Sequence, residues 1–107
     1  MGQPVVPAPR RPVTLAELRG RREEIQAAAA RYGITNVRVF GSVAAQTAGP
    51  DSDLDLLVDV RPGHGYLDLT GFALAVEDLL QVFTQVATPG GLKARLRDRV
   101  LAEAIPL

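Results

Sequence analysis

At 107 residues the chain has room for one core. Its 47% hydrophobic and 22% charged residues place it among globular proteins, not disordered or fibrous ones. The absence of cysteine excludes disulfide frameworks and thiolate metal sites, and no apolar run approaches the ~20 residues that cross a bilayer. Twelve basic and twelve acidic side chains cancel, which argues against the basic character of a general nucleic-acid binder, so direct DNA binding is not expected.

Residues 1–13 read as a disordered, proline-rich leader, with four prolines in GQPVVPAPRRP, and residues 14–107 as the folded domain. The leader lacks the apolar core of a signal peptide, so a cytoplasmic protein is expected. Thr14 followed by Glu17 has the form of a capping box, and Leu15, Leu18, Ile25, Ala29 and Tyr32 recur at helical spacing. One helix over 15–32 follows, stopped by Gly33. Residues 37–40 are apolar and β-branched and read as a strand that runs into Gly41-Ser42. Residues 43–48 read as a short helix or turn, ended by Gly49-Pro50.

The clearest strand covers 54–60. Leu54, Leu56, Val58 and Val60 would leave one face, with Asp53, Asp55, Leu57 and Asp59 on the other. After Pro62-Gly63-His64-Gly65, a helix over 67–80 carries Leu69, Phe72, Val76, Leu79 and Leu80 on one stripe. A third strand is expected over 83–87. A last helix is expected over 89–104, capped by Thr88, opened by Pro89, and turning Leu92, Leu96 and Val100 inward. This order makes a small α/β (α+β) domain with a short mixed sheet flanked by helices.

Charge is unevenly spread along that frame. Residues 1–38 hold seven basic and three acidic side chains, residues 39–91 one and seven, and residues 92–107 four and two. An acidic centre between basic flanks suits a cation site in anion-friendly surroundings. Asp53 and Asp55, two apart on a strand, leave the same face and can share a hard divalent cation. On their own they read as well as a solvated strand end. Gly41-Ser42 sits where a strand passes into a short helix. There glycine lets the backbone approach an anion, and the first helical amides are free to face a phosphate. Read alone, this is equally a plain turn. His64 reads as an exposed loop residue, and Glu77, Asp78 and the Lys93–Arg99 cations as solvated helix surface.

Together the two features form a pattern. The segment FGSVAAQTAGPDSDLDLLVDV resembles the signature of the nucleotidyltransferase superfamily, in particular its minimal members, and TPGGLKARLRDRVLAEAIPL is similar to their C-terminal helix. The resemblance covers residues 35–107. It implies the nucleotidyltransferase fold and a Mg2+-dependent transfer of a nucleotide from ATP to a hydroxyl. Gly41 and Ser42 would hold the triphosphate, and Asp53 and Asp55 the metal. Minimal members often act as antitoxins of an all-helical HEPN ribonuclease toxin, which they inactivate by adenylylation or by binding. The resemblance also marks two departures. Ala45 and Gln46 stand where an arginine and a glycine are common, and Gln85 falls at the position of a third carboxylate. Glutamine keeps an oxygen ligand but loses the charge and cannot serve as general base. The reading is therefore a protein-modifying nucleotidyltransferase, with a catalytically weak antitoxin that acts by binding its partner as the alternative.

Overall fold

A computed structural model describes residues 12–107. The elements in chain order are α1 (Leu15–Gly20), α2 (Arg22–Arg31), β1 (Ile34–Phe40), α3 (Gly41–Ala45), β2 (Leu54–Val60), α4 (Tyr66–Leu80), β3 (Thr84–Ala87), a 3-10 turn (Pro89–Gly91), α5 (Ala94–Glu103) and β4 (Ile105–Pro106). The strands form one mixed sheet in the order β3-β2-β1-β4. β2 is antiparallel to β1 and parallel to β3, and β4 is antiparallel to β1.

The period-2 pattern of β2 sets the layers. Leu54, Leu56 and Val58 are fully buried and join Leu18, Ile25, Ala29, Val39, Phe72 and Val76 in one core, so α1, α2 and α4 cover that face of the sheet. Leu57 is also fully buried, on the opposite face and outside this core cluster. Of the expected leader, residues 1–11 lie outside the described residues, and Val13 is buried in the core.

Several element boundaries differ from the sequence expectation. The single helix over 15–32 is two helices, because the chain leaves helical geometry at Arg21 (φ −112°, ψ 16°). Gly20, a weak helix former, precedes the break, and the Arg21 guanidinium donates to both carboxylate oxygens of Glu24 (2.7 and 3.0 Å), bracing the start of α2. The Thr14 cap is present, with the Glu17 amide donating to its hydroxyl oxygen at 3.1 Å. β1 starts at Ile34, not at 37, since Gly33 at φ +68° turns the chain directly from helix to strand. Within β1 the register slips between Thr35 and Arg38, around Asn36 at φ +53°.

α3 begins at Gly41 itself and closes at Gln46 in the left-handed region. The final helix expected over 89–104 is shorter. Gly90 and Gly91 allow only a 3-10 turn, closed by the Gly91 amide on the Thr88 hydroxyl, and α5 starts after Lys93. Arg97 bridges the two pieces by donating to the Pro89 and Leu92 carbonyls. The inward stripe expected on it is only partly covered, with Leu96 41% exposed and no buried residue on α5. β4, too short to leave a sequence pattern, follows and pairs with Arg38 and Val39.

Candidate functional site

The site lies where β1 ends and β2 and β3 begin. In the antiparallel pair Phe40 stands opposite Asp55, and in the parallel pair Asp55 stands opposite Gln85. Register therefore brings the Gly41 turn, Asp55 and Gln85 side by side across three strands. Asp53 is the second residue before Asp55, just outside β2, and faces the same way.

Gly41 is at φ +72°, and a Cβ built on it would collide with Asp55 Oδ2. The Asp55 carboxylate thus occupies the space that glycine leaves. Burial pushes the Asp55 carboxyl above its ordinary value, and the nearby Asp53 charge adds to the rise. Among the described residues neither carboxylate has an ion-pair partner. Asp53 Oδ2 instead accepts a hydrogen bond from Gln85 Nε2 at 3.2 Å. Ser42 follows Gly41 in the first turn of α3, where the leading amides have no partner within the helix.

Two half-buried carboxylates, mutually repelling and without a counter-charge, form a donor set suited to a hard divalent cation. Asp53 and Asp55 would hold it, with an amide, Gln85, where a third charge could stand. Among the described residues no group of three or more acidic or histidine side chains gathers at metal-binding spacing. Gln85 is exposed, so its side chain belongs to this polar face and not to the core.

Other polar residues do different work. Asp59 shares the Asp55 face by alternation, but both its oxygens are engaged. Arg38 Nη2 donates to one at 3.0 Å and Asn36 Nδ2 to the other at 3.0 Å. His64 is exposed, as expected, but its ring lies over Gly33, where a Cβ would collide with it, and its Nδ1 is 3.4 Å from Asp68 Oδ2. The Gly65 amide holds the Asp68 carboxyl below its usual value, with His64 adding to the effect. Glu77, read as plain helix surface, accepts from the Thr84 amide at 3.2 Å and ties α4 to the start of β3. The sequence carries no local sign of the Asp59 and Glu77 links, because each joins residues from different elements.

Comparison with known proteins gives a consistent result. Residues 21–107 match a family model described as a nucleotidyltransferase domain. The chain is 31% identical over 75 residues to protein adenylyltransferase MntA of Thermococcus cleftensis, covering 70% of this chain and 76% of that one. It is 32% identical over 75 residues to a provisionally named protein adenylyltransferase of Methanocaldococcus jannaschii, covering 70% and 81%. A solved structure provisionally described as a minimal nucleotidyltransferase superposes with a TM-score of 0.79 at 49% identity, over 89% of this chain and 97% of that one. A toxin-antitoxin crystal structure with AMP-PNP superposes at 0.66 over 78% and 69%, and at 15% identity it speaks for the fold alone.

Proposed function

The chain belongs to the nucleotidyltransferase domain family, and from that premise we propose that it transfers AMP from ATP to a hydroxyl of a partner protein, acting as the antitoxin of a HEPN-type toxin in the cytoplasm. The observation that carries this reading is the placement of Asp55 against Gly41 with Asp53 beside it. The relatives named as protein adenylyltransferases support a protein acceptor.

In this reading Gly41 and Ser42 present the backbone amides at the start of α3 and a hydroxyl to the triphosphate. Asp53 and Asp55 hold magnesium, which when bound neutralises phosphate charge. The acceptor oxygen bonds to the α-phosphorus, the bond from that phosphorus to the bridging oxygen breaks, and pyrophosphate leaves. The hydroxyl proton has no carboxylate at residue 85 to receive it and passes to water, so transfer is slow compared with a site that carries a base there.

A second reading has its own observation. Gln85 donates to Asp53, and among the described residues no third acidic side chain joins the pair. Such a site can bind nucleotide or partner with little chemistry, and the chain would then neutralise its toxin by occlusion. Incubation of the HEPN-type partner with ATP labelled at the α-phosphate and magnesium separates the two. Label on the partner with the wild type, absent with Asp53→Asn/Asp55→Asn, supports transfer. An inhibited but unlabelled partner supports occlusion.

A further inference from the structure

On the face of the sheet opposite Asp55, α2 and α4 leave a groove of about 600 Å³ between them. Ala27 and Ala28 form its α2 wall, and Leu74 stands on its α4 wall, 58% exposed. The apolar surface continues along α4 to Leu67, 82% exposed, one turn beyond Gly71 on the same side of the helix. It also reaches Phe83, 48% exposed, which lines a second hollow together with Leu74. Large apolar side chains this exposed, clustered along α4 and just beyond its end, mark an interaction surface.

We propose that this α2–α4 face is a two-fold interface with a second copy of the same chain. The charges at the groove argue for that occupant. Arg31 lines it from α2 and Asp78 from α4, and among the described residues neither has an ion-pair partner. A two-fold axis through the groove sets each patch against itself, so Arg31 of one copy meets Asp78 of the other, twice. Leu74, on the α4 wall between Gly71 and Asp78, is covered by the other copy in the same operation. An acceptor protein is the poorer fit. The core side of β2 faces α2 and α4 while Asp55 leaves the other side, so a protein docked in the groove is separated from Asp53 and Asp55 by the sheet. A second copy there leaves both Asp53–Asp55 sites open.

The test is the solution mass of the full chain, measured by sedimentation velocity from low micromolar to millimolar concentration without nucleotide. The wild type is expected to dimerise over that range. Leu74→Glu is expected to weaken the dimer about tenfold or more, with a circular dichroism spectrum like the wild type because Leu74 lies outside the core. Arg31→Asp should weaken it as well, and Arg31→Asp/Asp78→Arg should recover most of the loss. A wild type that stays monomeric at millimolar concentration overturns the proposal. So does a dimer that Leu74→Glu leaves intact, or a charge swap that fails to restore what Arg31→Asp removes. A monomeric wild type whose toxin binding is lost in Leu74→Glu assigns the face to that partner instead. None of these outcomes depends on nucleotide transfer, so failure here leaves the proposed activity standing.

Discussion

The Asp55 carboxylate fills the space that a side chain at residue 41 would take. Gly41 is doubly constrained, by that contact and by its φ of +72°. Gly41→Ala should cost about 1–2 kcal/mol for the left-handed backbone alone, with the collision added. Its melting temperature should fall and Mg-ATP binding should be lost. A variant that melts and binds like the wild type would show that this contact does not shape the site.

Asp55 should make the protein less stable as pH rises. Its carboxyl titrates above the ordinary value, chiefly from burial and then from Asp53. The folded state therefore holds its proton more tightly than the unfolded chain does. That contribution is fully present below the unfolded pKa and is lost as pH rises through the raised folded value. At neutral pH without divalent cation, Asp55→Asn should melt higher than the wild type. The difference should shrink toward acidic pH and when magnesium is added to the wild type. Thermal melts across pH, with and without magnesium, check the sign. A neutral-pH melt lowered by Asp55→Asn would contradict it.

Gln85 is exposed, opposite Asp55 in register and bonded to Asp53, so a charge placed there is not buried in the core. Gln85→Glu should set three carboxylates together. Without metal the variant should be less stable, and with magnesium it should bind the cation more tightly and transfer label faster. Calorimetric titration of magnesium reads the first effect directly. Unchanged affinity would remove Gln85 from the site.

Asp59 belongs to the scaffold. Its bonds from Arg38, whose side chain is 13% exposed, and from Asn36 brace the irregular stretch of β1. Asp59→Ala should lower stability by about 1 kcal/mol and leave magnesium affinity unchanged. A loss of metal binding would place Asp59 in the site after all.

Much of the layout was legible because single-strand alternation carries it. Leu54, Leu56 and Val58 sort from Asp53 and Asp55 by period alone, and Phe72 and Val76 mark the buried stripe of α4. The pairing of Gln85 with Asp55 could be placed only through the family pattern, because parallel register is a long-range relation with no local signature. The break at Arg21 was hidden because the apolar spacing of Leu18, Ile25 and Ala29 continues across it. Asn36 is a residue type that tolerates the left-handed backbone it adopts, but its type alone does not place a bulge there, and Ile105–Pro106 is too short to alternate. Thr88 and Pro89 have the form of a helix start, but Gly90 and Gly91 disfavour α-helix, and the segment forms a 3-10 turn before α5.

In the proposed function Asp53 and Asp55, beside the Gly41 turn, make a cation-dependent nucleotide site. Calorimetric titration of a non-hydrolysable ATP analogue tests it most directly, using the wild type and Asp53→Asn/Asp55→Asn, each with magnesium and with EDTA. Binding by the wild type only when magnesium is present, and its loss in the double variant with the fold retained, is the expected result. Equal binding by both proteins, or binding by the wild type that ignores magnesium, would contradict it.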